Sequence, residues 1–240
     1  MKIAVCGSSC VGKTTFINDF LKQWPMYIAP KRSYRQAAKA SDIKLNRDGD
    51  LVGQKAIQEI LYNQIEETKN EKYVIYDRGP LDNLVYSIWL NAKKKGDVDD
   101  LYIEQAIAKF KKIVSVYDII FFIPILDAYP IEIVPDEQRD TNPEFRGEID
   151  NLFKGIIQTY HKGKDTFFPK DDCPAIIEIF GTPEQRLEMA KLYINSKGDI
   201  FGEEDNLMND VEISEEDVQA LKDLVEEKKL SVKKIPQIII

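Results

Sequence analysis

Two periodicities run along this chain. Five short apolar runs, Lys2–Cys6, Met26–Ala29, Tyr73–Tyr76, Asp118–Ile123 and Ala175–Phe180, have the length of buried strands and no helical spacing. Between them, apolar residues recur every three or four positions. Phe16, Phe20 and Leu21 form one such face, and Ile57, Ile60, Leu61 and Ile65 a second. Leu81, Leu84, Val85, Ile88 and Trp89 form a third, followed by Ile103, Ala106, Ile107, Phe110, Ile113 and Val114. Ile149, Leu152, Phe153, Ile156, Ile157 and Tyr160 mark a strongly amphipathic helix. After the fifth run, Thr182 reads as an N-cap, Pro183 as the first helical residue and Gln185 as the partner a capping box requires. Strands alternating with helices predict an α/β fold built on a doubly wound, parallel, five-stranded sheet.

The polar stretches divide this pattern. Ser41 to Gly53 lacks a period and suits a loop or flap. Asp127 to Gly147 is long for a connection inside a compact domain, and its length predicts a functional lid. Beyond Gly198 the chain changes character. Residues 199–240 hold twelve acidic residues and five lysines, so of the net charge of −8 only −1 belongs to residues 1–198. That division predicts a body over 1–198 and an acidic extension over 199–240, with one helix from Ser214 to Lys229. The acidity belongs mostly to the extension, so it counts little against an anionic ligand on the body. No apolar run nears the roughly 20 residues of a membrane span, and the N-terminus carries no signal-peptide pattern. Cys6, Cys10 and Cys173 are an odd set without a disulfide framework, which predicts reduced thiols in a cytoplasmic protein. The single histidine, His161, excludes chemistry that needs several, and its place at a helix end predicts a capping or surface role.

Gly7-Ser8-Ser9-Cys10-Val11-Gly12-Lys13-Thr14 matches G-x-x-x-x-G-K-[ST] at every required position, between the first strand and the first helix. Backbone N–H groups of such a loop converge on one small volume, and the positive end of the helix dipole adds to them. Lys13 is expected to reach the outer phosphates of a nucleoside triphosphate and Thr14 to hold a magnesium ion, with Thr15 following in the same site. At the end of the third run stand Asp77 and Arg78, before Gly79-Pro80. The carboxyl end of a strand in an open parallel sheet is where ligands bind. Asp77 is a candidate for holding Mg²⁺ or for accepting a hydroxyl proton, and Arg78 for gripping a phosphate. Lys31, Arg32 and Arg35, after the second run, are candidates for a phosphorylated substrate, although a solvated loop has the same composition. Arg139 and Arg146 on the expected lid are candidates to meet the transferred phosphoryl group. Thr182 and Pro183 lie on a loop suited to an adenine ring.

Asp77-Arg78-Gly79-Pro80-Leu81-Asp82, together with the P-loop, resembles the thymidylate-kinase and nucleoside-kinase branch of P-loop phosphotransferases, including small kinase-like ATPases whose third strand ends in D-R-G-x-x-D. The resemblance spans about residues 1–196. It implies strand order 2-3-1-4-5, an arginine-bearing lid, and ATP with Mg²⁺ as donor and cofactor. It also assigns Asp77 to metal or base duty and Arg78 to the acceptor or the reacting centre. Many relatives carry an acid just after the second strand, where this chain has Pro30-Lys31-Arg32. The reading that follows is a kinase transferring the γ-phosphoryl group of ATP to a nucleoside or nucleotide, with a homodimer possible. The alternatives are a kinase acting on a nucleic-acid hydroxyl, and an ATP-dependent switch that binds a protein partner.

Overall fold

The computed structural model describes residues 1–32, 36–37, 39, 43–131, 133, 140–163 and 167–201. Arg35, Arg139 and the helix expected over 214–229 lie outside them. Contacts divide the chain into Met1–Ile200 and Phe201–Ile240, and the description below concerns the first unit. Four strands form its sheet: β1 (Lys2–Cys6), β2 (Val74–Asp77), β3 (Ile119–Phe122) and β4 (Ala175–Glu178). All pairings are parallel, in the order β2-β1-β3-β4. Val5 sits opposite Asp77 on one side and Phe121 on the other.

Five strands in the order 2-3-1-4-5 were expected; the sheet has four, which correct the count, and the third, first, fourth and fifth runs stand in it in that sequence. The run Met26–Ala29 contributes only one parallel bridge, between Ile28 and Val74, on the outer side of β2. Its two hydrogen bonds join Ile28 N to Tyr73 O and Ile75 N to Ile28 O. The reason is local. Pro25 and Pro30 bracket the run and each lacks an N–H for a ladder, and Ile28 is exposed at the sheet edge.

Six helices follow the predicted periodicity: α1 (Lys13–Gln23), α2 (Leu51–Glu67), α3 (Pro80–Ala92), α4 (Asp100–Ile113), α5 (Pro143–His161) and α6 (Pro183–Lys191). Their starts are written in short polar side chains. Asp50 accepts from Gly53 N at 2.8 Å, Asp99 from Tyr102 N at 2.8 Å and Asn142 from Phe145 N at 2.8 Å. Thr182 and Gln185 bond reciprocally, as the predicted capping box requires. His161 ends α5 exposed. The Asn142 cap and Pro143 at the first helical position also correct the expected lid. Residues 143–147 belong to the first turns of α5, so Arg146 stands on a helix fixed in the core.

The period of two in the strands sorts their side chains onto two faces. Ala4, Cys6, Tyr76, Ile120, Phe122 and Ile176 point into a core shared with α3, α4 and α5. Ile3, Val5, Ile75, Ile119, Phe121 and Ile177 point into a second core with α1 and α6. The sheet is therefore covered on both sides, as a parallel sheet must be. No helix among the described residues is long and apolar enough to cross a membrane.

Phe153 of α5 stacks on Phe122 of β3 with ring centroids 5.5 Å apart, and neither is exposed. Phe153→Ala should lower unfolding free energy by about 3–5 kcal/mol in urea denaturation, the usual cost of emptying a buried aromatic site. A loss under about 1 kcal/mol would place this contact outside the cooperative core.

Candidate functional site

Three cations bond the carbonyls of the loop between β1 and α1, one from the loop itself and two from α5 and α6. Lys13 Nζ donates to Gly7 O at 2.8 Å and Ser8 O at 2.6 Å. Arg146 donates from Nε to Ser9 O at 2.8 Å and from a terminal nitrogen to Cys10 O at 3.4 Å. Arg186 donates to Val11 O at 2.8 Å. Ser8 Oγ completes the clamp by donating to Arg146 O at 2.9 Å. In a planar trans peptide the N–H points opposite to the C=O. Carbonyls of residues 9–11 drawn toward the arginines therefore turn the N–H groups of residues 10–12 the other way, into the concavity an anion would fill.

Two glycines make this path possible. Gly7 has φ +140°, and a Cβ there would stand 2.7 Å from Ile123 O. Gly12 has φ +85°, and a Cβ would stand 2.7 Å from an Arg186 nitrogen. Any side chain at either position forces backbone or guanidinium to move. Gly12 then caps α1 without a side-chain hydrogen bond, leaving that helix end to an external acceptor.

Beside the loop, Thr14 Oγ1 donates to Asp77 Oδ2 at 3.3 Å. A hydroxyl and a carboxylate side by side are hard oxygen donors of the kind Mg²⁺ takes, and Mg²⁺ needs only one or two protein ligands with water completing its shell. The pair fits the ion. Arg78, the next residue, is buried in the left-handed region at φ +78° and lies over the Tyr86 ring at 5.2 Å. Its guanidinium donates to Asp82 Oδ1 at 2.9 Å, and Gly79 N donates to Asp82 Oδ2 at 3.2 Å. Burial pushes the Asp82 carboxyl above its ordinary range, while Arg78 and then Lys13 pull it down. Burial, reinforced by Asp82, also raises the Cys6 thiol at the end of β1.

Two cavities flank this line. One, of about 400 Å³, opens beside Gly12, Thr15, Phe16, Thr182, Pro183 and Arg186, with Tyr129 and Pro130 across it. The predicted adenine loop lines it. The second is bounded by Asn46, Gln54, Asn83 and Tyr86 together with Arg78 and Asp82. Its polar wall is bonded internally: Asn83 Nδ2 and Ser87 Oγ both donate to Gln54 Oε1, at 2.9 and 3.1 Å.

The sequence-derived candidates divide accordingly. The whole segment from Gly7 to Thr15, with Asp77, Arg146, Thr182 and Pro183, is gathered around the loop. Arg78 faces the second cavity with its charge engaged by Asp82. Lys31 and Arg32 are exposed and line neither cavity, while Arg35 and Arg139 lie outside the described residues. Arg186 and Asp82 are the residues sequence reasoning passed over. Arg186 is 5% exposed and its Nε has no partner among the described residues, and burial lowers its guanidinium below the usual arginine range. Nothing in the spacing of Arg186 marks it. Asp82 stood in the D-R-G-x-x-D string and received no role.

A family model described as an AAA domain matches residues 2–162, more than half of the chain. The fold is similar to that of the NadR protein in complex with NR, at 15% identity and TM-score 0.55, over 84% of this chain and 51% of that one. It is also similar to NadR with NAD and AMP-PNP, at 16% identity and TM-score 0.50, over 84% and 50%. Thymidylate kinase from Candida albicans is similar at 13% identity and TM-score 0.53, over 84% of this chain and 95% of that one. The chain spans about half the length of NadR. No curated protein is similar enough in sequence to match. At these identities the likeness is one of fold, and it agrees with the resemblance to P-loop kinases read from Gly7–Thr14 and Asp77–Asp82. A P-loop held on a parallel α/β sheet and a family match running from β1 into α5 lead to one conclusion: the chain belongs to the AAA domain family.

Proposed function

We propose that the protein is a phosphotransferase that moves the γ-phosphoryl group of ATP to a nucleoside or nucleoside monophosphate, with Mg²⁺. One observation carries this reading. Asp77 and Arg78, adjacent at the end of β2, face two different places: Asp77 meets Thr14 of the P-loop, and Arg78 lines the second cavity. A donor in the loop and an acceptor in the cavity would therefore meet across one strand end. The similar folds of a thymidylate kinase and of a protein solved with AMP-PNP support the same class.

In this reading the adenine lies in the 400 Å³ cavity against Thr182 and Pro183, beside the flat face of Arg186. The N–H groups of the loop take the phosphates. Lys13 leaves the Gly7 and Ser8 carbonyls and turns its ammonium to the outer phosphates. Thr14 and Asp77 would hold Mg²⁺, which neutralises charge on the phosphoryl oxygens. Chemistry of this kind asks the protein chiefly for positioning and electrostatic stabilisation.

The direct experiment is transfer of labelled phosphate from ATP to nucleosides, nucleoside monophosphates, and single- and double-stranded nucleic acids. Lys13→Ala should abolish transfer and leave the unfolding transition in place. Asp77→Asn should lose activity that excess Mg²⁺ partly restores. Wild-type turnover in the lysine variant would remove the P-loop from the reaction, and indifference of Asp77→Asn to Mg²⁺ would take Asp77 out of the metal site.

Arg146 separates a clamp from a mobile catalytic arginine. Charge-assisted hydrogen bonds contribute about 1.5–3 kcal/mol each, so releasing Ser9 and Cys10 should weaken binding of a fluorescent ATP analogue roughly 10–100-fold in Arg146→Ala. Arg146→Lys should not restore it, because a single ammonium does not reproduce the fork. Unchanged ATP affinity with a collapsed kcat would instead return Arg146 to a role in the transition state.

A further inference from the structure

The three cations on the phosphate loop are not held alike. Lys13 bonds two carbonyls, and Arg146 bonds two more while Ser8 Oγ bonds the Arg146 carbonyl in return. Arg186 has one hydrogen bond among the described residues, to Val11 O at 2.8 Å, and its buried Nε has no partner there. Burial lowers its guanidinium, and no acidic neighbour among the described residues offsets that. The least engaged of the three is also the one that lines the 400 Å³ cavity. Resting on the phosphotransferase reading above, we propose that Arg186 couples the base cavity to the phosphate loop, so that an aromatic base laid on its guanidinium tightens the loop's hold on phosphate.

The connection runs through one peptide unit. Arg186 holds the carbonyl of Val11, and the N–H of the same unit belongs to Gly12. In a trans peptide the two point in opposite directions, so the bond to Val11 O decides where Gly12 N–H is aimed. Gly12 does not fix this peptide by itself, because at φ +85° it has no Cβ to limit its dihedrals. A guanidinium nitrogen also packs directly on it, since a Cβ at Gly12 would stand 2.7 Å from that atom. Arg186 therefore acts on the loop by contact as well as by hydrogen bond. Its backbone is secured in the first turn of α6, just past the capping box of Thr182 and Gln185. What the cap does not secure is the long side chain, whose rotamer freedom opposes the bond to Val11 O. A ring stacked on the planar guanidinium removes part of that freedom in advance. The cavity suits a ring: among its described lining residues none is an acid or a side-chain amide, and Phe16, Tyr129, Pro130, Ile131 and Pro183 supply apolar surface. Phosphate then meets an N–H already aimed at it, and phosphate bound first orders Arg186 for the base in the same way.

The test uses the full wild-type chain and two separate pieces of ATP. One is adenine, which has no hydroxyl and so cannot serve as acceptor; the other is inorganic pyrophosphate with Mg²⁺. Calorimetry reads the Kd of pyrophosphate with and without saturating adenine. Adenine should tighten pyrophosphate at least about fivefold, the lower end of the usual coupling between two sites, and pyrophosphate should tighten adenine by the same factor. Arg186→Ala should abolish the coupling. Arg186→Lys should abolish it too, because an ammonium does not stack as a planar guanidinium does. A merely structural clamp would behave differently: in Arg186→Ala pyrophosphate would weaken equally with and without adenine, leaving the wild-type factor in place. That result overturns the proposal, as does independent binding of the two pieces in wild type, and both leave the phosphotransferase reading standing. A chain that transfers no phosphate and binds neither piece nor a fluorescent ATP analogue overturns both. If Arg186→Ala does not fold, the wild-type factor and Arg186→Lys decide.

Discussion

A P-loop is a run of backbone whose carbonyls must be turned away from an anion, and everything else in this site depends on how that is done. Here the work falls to Arg146 and Arg186, far from the loop in sequence, while Lys13 belongs to the loop itself. Lys13, Arg146 and Arg186 bond the carbonyls of Gly7 through Val11, and all three are buried. A buried cation is costly unless paired, and these three find acceptors in peptide oxygens. The loop thereby ties α1, α5 and α6 to one point at the carboxyl end of β1. That arrangement accounts for the burial of Arg146 at the start of a helix, where a surface arginine would otherwise be expected.

A second constraint is the end of β2. Consecutive strand residues point to opposite faces, but the chain leaves the strand at Arg78 in a left-handed conformation, still donating its N–H to Val5 O. A non-glycine residue in that region costs on the order of 1–3 kcal/mol. The buried bond to Asp82 and the stacking over Tyr86 offset it. The strain serves a geometry: one peptide unit sends Asp77 to the loop and Arg78 to the second cavity. Gly79 and Pro80 then turn the chain directly into α3, whose third residue is Asp82.

Much of this was legible in the sequence. The alternation of short apolar runs with 3.6-residue spacing marked four strands and six helices, because a sheet covered on both faces requires apolar residues at every strand position. The capping signals at Thr182 and the P-loop string were readable for the same local reason. The edge failed because Met26–Ala29 has the composition of a strand while Pro25 and Pro30 limit it to the single bridge at Ile28. The lid was drawn too long because Asn142-Pro143, a helix start, was read as part of a polar loop. Arg186 was missed because its partner, Val11 O, is 175 positions away, and no periodicity encodes a contact between elements so distant in sequence.

The same reasoning explains why Asp82 went unassigned while Asp77 and Arg78 did not. A residue at the end of a strand announces itself as a ligand position, because the topology of an open parallel sheet brings strand ends to the cleft. Asp82 is on a helix, one turn in, amid Leu81, Leu84 and Val85, where the pattern reads as core. Its chemistry comes from what the turn at Gly79-Pro80 does in three dimensions, folding the helix start back over the strand end so that residue i+4 meets residue i. An acid that is 2% exposed in such a place needs its partner. Arg78 supplies it, and in doing so is no longer the free phosphate grip that its position in the sequence suggests. The two residues are better understood as one neutral unit.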